Sequence, residues 1–231
     1  MSVFAIGDLH LSMGADKPMD IFGPAWEHHA ERLEEAWRAA VAPEDTVVLA
    51  GDTSWGISLA ESLPDFAFLE SLPGKKILIK GNHDYYWDTM RKMDRFLEEH
   101  GIRSIRFLRN DFVAAEGVAL CGAKGWFPDE DAAGHDRKIY LREVGRLRTS
   151  LQKAADAGFA RRIVFLHYPP VMPGVSYPEI IEALREFGVE ECFYGHLHGA
   201  GLAAAVQGVR DGVRYRCISG DHIRFVPQKI L

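Results

Sequence analysis

Five short polar blocks hold the residues of this sequence whose types and spacing could do chemistry. They are Gly7-Asp8-Leu9-His10, Gly51-Asp52, Gly81-Asn82-His83-Asp84, His167 and Gly195-His196-Leu197-His198. Together they offer carboxylates, five histidines and one asparagine. Imidazole mixed with carboxylate suits Zn, Mn, Fe or Ni better than Ca or Mg. The set is too large for one ion. With an aspartate able to bridge, it suffices for two ions about 4 Å apart. Each block alone is a weak signal. Gly-Asp is ordinary turn composition, and an H-x-H pair is a common surface feature. A lone histidine after an apolar run, such as His167, is usually a hydrogen-bonded core residue. The weight lies in all five occurring together, each in the same local setting.

That setting is the end of an apolar run. "VFAI", "TVVLA", "KILIK", "RIVFL" and "ECFY" lead directly into the five blocks. Strands are predicted at Val3–Ile6, Thr46–Ala50, Lys76–Lys80, Val118–Cys121, Ile163–Leu166 and Cys192–Tyr194, where β-branched and aromatic residues are common. Helical spacing lies between them, at Pro24–Val41, Ile57–Leu72, Trp87–His100, Arg137–Ala157 and Tyr177–Phe187. Gly101, Gly158 and Gly188 stand where C-cap glycines belong. Strand–helix alternation implies an α/β fold with much parallel pairing. Two segments read differently. Arg106–Ala123 resembles a hairpin turning at Asn110-Asp111, and the stretch from Leu202 to Phe225 resembles an antiparallel meander. A mixed sheet, or two sheets packed face to face with outer helices, accommodates both patterns. In α/β proteins ligands collect outside the carboxyl ends of strands, so the five blocks should meet at one rim. Four of them begin with a glycine, which lets the chain turn sharply and approach a metal closely.

The ordered series "GDLH … GDTSW … GNHD … H … GHLH" resembles the calcineurin-like metallophosphoesterases, over residues 7 to 198. The segments "LPGKKILIKGNHDYYW" and "FYGHLHGA" further resemble a bacterial phosphohydrolase group within that family. The resemblance implies a four-layer sandwich of two mixed β-sheets flanked by helices. It implies two divalent ions, of Mn, Fe or Zn. One would sit on Asp8, His10, Asp52 and His198, the other on Asp52, Asn82, His167 and His196, with Asp52 bridging. It further implies in-line attack by a metal-bridging hydroxide on a small phosphomonoester or phosphodiester. His83, beside the ligand Asn82, would act as general acid or phosphate stabiliser, and Asp84 would orient its imidazole.

Bulk properties narrow the alternatives. The chain has 231 residues and a formal charge of −6. Length and the lack of a linker predict one domain over residues 1–231. The acidic balance weighs against a nuclease or a membrane-surface protein, although Arg103, Arg106 and Arg109 form a local basic cluster, expected as a solvated edge. A non-catalytic metal-binding scaffold is the other alternative, and an intact ligand set argues against it. Three scattered cysteines predict no disulfide framework, and the N-terminal sequence has no signal-peptide pattern, so a cytoplasmic protein is expected. His28, His29, His100 and His135 are expected to be solvated, and His222 to lie in a turn before an edge strand. Trp55, Trp126 and Phe127 could line the pocket or simply pack, and Tyr168-Pro169-Pro170 is expected to fix a loop's path.

Overall fold

A computed structural model describes residues 1–127 and 135–231. Residues 128–134, in the polar loop expected before the fourth helix, lie outside the described residues. The elements run β1 (Val3–Ile6), α1 (His29–Ala40), β2 (Thr46–Leu49), α2 (Leu59–Ser71), β3 (Lys75–Leu78), α3 (Met90–Glu99) and β4 (Ile105–Phe107). They continue with β5 (Phe112–Ala115), β6 (Val118–Ala123), α4 (His135–Asp156), β7 (Arg162–Leu166), β8 (Val171–Met172), β9 (Val175–Ser176) and α5 (Pro178–Glu186). The chain closes with β10 (Glu191–Tyr194), β11 (Gly208–Arg210), β12 (Val213–Cys217) and β13 (Gln228–Lys229).

Two mixed sheets form the centre. One has the order β13-β1-β2-β3-β4, and the other β11-β12-β10-β7-β6-β5. β1 to β4 are mutually parallel, as are β12, β10, β7 and β6, while β13, β11 and β5 run antiparallel at the edges. The strand sequences explain the layering. Parallel strands covered on both faces must be apolar at successive positions, as "VFAI" and "RIVFL" are. Val3, Ala5, Val48, Ile77, Ile163, Phe165 and Phe193 point between the sheets. Their alternates on the first sheet, Phe4, Ile6, Val47, Leu49 and Leu78, pack against α1, α2 and α3. On the other side Val164, Leu166, Cys192 and Tyr194 meet α4 and α5. The four-layer α/β sandwich is therefore the observed architecture.

Three sequence expectations are corrected. The helix expected over Pro24–Val41 is broken: a short turn covers Pro24–Trp26, and His28, left-handed at φ 50°, separates it from α1. The hairpin turns at Glu116-Gly117 (φ 49° and 75°), not at Asn110-Asp111. Two consecutive positive φ values suit a two-residue hairpin, whereas the Asn110 region carries the chain from β4 in one sheet to β5 in the other. The C-terminal meander is only half antiparallel. β11 and β12 form a hairpin around Asp211-Gly212, but β12 pairs parallel with β10 and β13 returns to the first sheet. All three cysteines are free and buried. Among the described residues no helix is long and apolar enough to cross a membrane.

Phe165 is fully buried between the sheets and stacks on Phe193 at 5.4 Å. Phe165→Ala should lower unfolding free energy by about 3–5 kcal/mol in a denaturant titration. A loss under about 1 kcal/mol would contradict this account of the inter-sheet core.

Candidate metal centre

β1, β2, β3, β7 and β10 end at the same rim, and each delivers its polar block there. The turns leaving the strands are tight. Asp8, His10, Asp52 and His196 all adopt left-handed φ (57°, 47°, 50° and 73°), a conformation costing of order 1 kcal/mol or more for a non-glycine residue. Two of the preceding glycines are required by contact. A Cβ on Gly81 would lie 2.0 Å from Asp52 Oδ1, and one on Gly195 would lie 2.2 Å from Asp8 Oδ2.

The side chains converge. Asp52 Oδ2 lies 3.7 Å from His10 Nε2 and 3.5 Å from His167 Nε2. Asn82 Oδ1 is 2.6 Å from His167 Nε2 and 2.9 Å from His196 Nδ1, and those two nitrogens are 3.2 Å apart. His198 Nε2 sits 3.3 Å from Asp8 Oδ1. Two groups each bring their ligand atoms within 4.8 Å of one another: Asp8, His10 and His198, and Asp8, Asp52 and His167. Backbone contacts fix the ring faces. The His167 imidazole meets the Ala50 carbonyl through Nδ1 at 3.1 Å, which turns Nε2 inward. The His196 N–H donates to both oxygens of Asp8 at 3.0 Å.

Burial raises the Asp52 carboxyl, and the charge of Asp8 raises it further, to about 8. Burial acts on Asp8 in the same sense, but the His198 side chain and the charges of His198, His167 and His10 outweigh it and hold Asp8 below the ordinary range. Two buried carboxylates this close cannot both ionise without a cation. Burial depresses His10 and His167, and it takes His196 down to about 3 with help from the His167 charge. Neutral imidazole is the form that binds metal. Burial also opposes the charge on His198, but Asp221 and Asp8 overcome it and raise that imidazole to about 10. The donor set thus fits divalent cations: neutral imidazoles at His10, His167 and His196, a His198 imidazole that would give up its proton on binding, one amide oxygen, and an Asp8–Asp52 pair that a cation would let ionise together.

A model of the calcineurin-like phosphoesterases matches residues 1–200. The chain belongs to that family. Its members are metal-dependent phosphoric ester hydrolases. The Gene 66 proteins of Mycobacterium phages L5 and D29 are 38% and 37% identical over 79 and 84 residues, 33% and 36% of this chain. Those matches span only 37% and 40% of the phage proteins' own length. Two solved structures share the fold at 14% and 15% identity. The protein of unknown function AQ665 from Aquifex aeolicus aligns with TM-score 0.51 over 99% of this chain and 95% of its own. The phosphopantetheinyl hydrolase of Mycobacterium tuberculosis aligns with TM-score 0.53 over 100% and 95%.

The surroundings of the phosphoesterase rim depart from the sequence reading in several places. Asp84 does not reach the His83 ring among the described hydrogen bonds. Its carboxylate instead accepts the backbone N–H groups of Asp52 (3.0 Å), Thr53 (2.8 Å), Ser54 (3.4 Å) and Gly81 (2.7 Å). It therefore clamps the loops after β2 and β3 together. His83 donates its own backbone N–H to Asp52 Oδ1 at 2.7 Å. Its half-buried ring packs 4.4 Å from Trp55, which also stacks on His10 at 4.9 Å. Trp55 thus lines the site. Phe127 sets its edge on His196 at 5.4 Å and also packs on the α4–α5 core, so it combines the two readings, whereas Trp126 packs on that core and against Tyr168. Tyr168 does more than shape a loop: its ring is 4.2 Å from that of His196. His29 is not fully solvated, because it packs against Trp26 and Phe225. His222 lies in a turn against Gln207.

Asp221 was not singled out from sequence. Its carboxylate accepts from His198 Nδ1 at 2.9 Å and from the Gly199 N–H at 3.0 Å. The signal was present: Ser219-Gly220-Asp221 is a further Gly-Asp pair just beyond a strand. A carboxylate behind an imidazole fixes its tautomer and raises its basicity toward a metal. Asp221→Asn should weaken divalent-metal affinity about 10-fold or more, with an unchanged fold by circular dichroism. Unaltered affinity in a metal titration would contradict that positioning role.

Proposed function

We propose that the 231 residues form one phosphoesterase domain that binds two divalent ions and hydrolyses a small phosphomonoester or phosphodiester. His10, His198 and Asp8 would hold one ion, and Asn82, His167 and His196 the other, with Asp52 shared. The observation that carries this reading is Asp52 Oδ2, which lies 3.7 Å from His10 Nε2 and 3.5 Å from His167 Nε2. Mn, Fe or Zn suits such a mixed imidazole and carboxylate set. Bound there, the ions would supply an activated water for in-line attack and neutralise charge on the phosphoryl oxygens.

The chain's own residues do the rest. Asp84 and the glycines hold the ligand loops in place before substrate arrives, which limits reorganisation during reaction. His83 faces a cavity of about 400 Å3 lined also by Lys17, Trp55, Glu61 and Tyr85. Lys17 lies 4.6 Å over the Trp55 ring, so this side offers both an aromatic wall and a cation. A leaving group bound there would put its bridging oxygen beside the His83 imidazole. Burial and the His167 charge depress the His83 pKa. Its proton is therefore best held when substrate supplies negative charge next to it. From that place His83 would protonate the departing alkoxide or hydrogen-bond the phosphoryl oxygen.

Turnover of chromogenic mono- and diesters with added Mn2+, and none of single-stranded DNA, is the expected result. Failure on every small ester, with metal bound, would favour a scaffold. His83→Ala should retain metal while losing about 10²-fold or more on an alkyl phosphate ester, and much less on the p-nitrophenyl ester. Equal losses would assign His83 to charge stabilisation, and loss of metal would make it a ligand.

A further inference from the structure

Beside the metal rim lies a second cavity, of about 360 Å3, whose described lining carries more basic than acidic side chains. It is placed by the same strand ends. Lys80 follows β3 and stands two residues before Asn82, while Lys124 follows β6 and its carbonyl accepts the N–H groups of His167 (3.1 Å) and Tyr168 (2.9 Å). β6 runs parallel to β7, so Lys124 emerges at the end of the sandwich where His167 does. Arg109, from beyond β4, and Arg142, from α4, complete the wall.

Among the described residues the charge on this wall is only partly compensated. Among the described residues two acids face the cavity, and each already has a partner: Asp88 pairs with Lys92 at 2.9 Å, and buried Glu143 pairs with Arg146. Lys80, Arg109, Lys124 and Arg142 have no ion pair among the described residues. Lys80, Arg109 and Lys124 are only half-exposed, so water screens their mutual repulsion incompletely. Four converging cations on an acidic protein, at the rim where a phosphoryl group would be cleaved, need an anion more than they need one another.

Building on the proposed hydrolase reading, we propose that this cavity is a subsite for a second phosphate group of the substrate. The preferred substrates then carry two phosphate-class anions: one at the metal centre, the other held by Lys80, Arg109, Lys124 and Arg142. Charge-assisted hydrogen bonds from arginine forks and lysine suit a phosphate better than a single carboxylate. The cavity has room for a phosphate and part of the group that carries it.

Two measurements test this independently. In the first, metal-free protein is titrated with inorganic pyrophosphate by calorimetry. Saturable binding that weakens about 10-fold or more in Lys124→Gln and in Arg142→Gln is expected. Undiminished binding in both variants, or none in the wild type, overturns the subsite. Arg142 is exposed on α4, so that variant keeps the test valid if the Lys124 change costs stability. In the second, Mn2+-loaded enzyme is compared on a bisphosphorylated ester and on p-nitrophenyl phosphate. KM for the bisphosphorylated ester should rise about 10-fold in each variant, while kcat/KM for the p-nitrophenyl ester stays within about twofold. Equal effects on both substrates overturn the assignment. If no ester is hydrolysed, the hydrolase reading fails, and the calorimetric result still decides whether the anion site exists.

Discussion

The repulsion between Asp8 and Asp52 is the interaction on which the site depends. Both carboxylates are buried at the strand rim, where burial and the Asp8 charge raise Asp52 while the His198 contact outweighs burial and lowers Asp8. Two carboxylates this close are costly to ionise together in a low-dielectric interior. Divalent cations resolve the conflict, and the neighbouring imidazoles, mostly neutral, are already in the form that shares them. The centre is better described as a place prepared for positive charge than as a set of ligands that happen to be close.

Holding the two carboxylates together requires backbone that would not form by itself. Four rim residues with side chains adopt left-handed φ, and Gly81 and Gly195 touch the carboxylates so closely that no Cβ fits. The stability for this comes from elsewhere, from the apolar layer between the sheets and the two layers under the helices. Asp84 transmits that rigidity. By taking four backbone N–H groups from two loops, it locks Asp52 and the start of the Gly81-Asn82 turn into one unit. A buried carboxylate at this position serves the metal centre through the main chain and not through an imidazole.

Much of this was legible in the sequence, for physical reasons that also mark where legibility stops. The strands under the site were readable because parallel strands buried on both faces are apolar at every position, and β1 matched its predicted bounds, Val3–Ile6. The rim blocks were readable because Gly followed by a polar ligand at a strand end is rare in repetition. Partnerships across long sequence distance were not readable. Asp221 meets His198 23 residues away, and nothing in the local pattern of either names the other. Asp84 departs from its expected role for the same reason: three of its four backbone partners lie on the loop after β2, about thirty residues earlier. The basic cavity escaped because its lysines and arginines come from four separate elements. Of the Arg103–Arg109 cluster seen in sequence, only Arg109 belongs to it, while Arg106 pairs with Asp111 at the surface.

The central claim is that this rim is a dinuclear centre organised by Asp52. Its most direct test is the metal content of the protein after loading with excess Mn2+ and removal of free ion, measured by elemental analysis for the wild type and for Asp52→Asn. The account predicts close to two ions per chain in the wild type and a clear loss of bound metal when the shared carboxylate becomes an amide. One ion per chain in a fully active wild type, or undiminished binding in the variant, would contradict it.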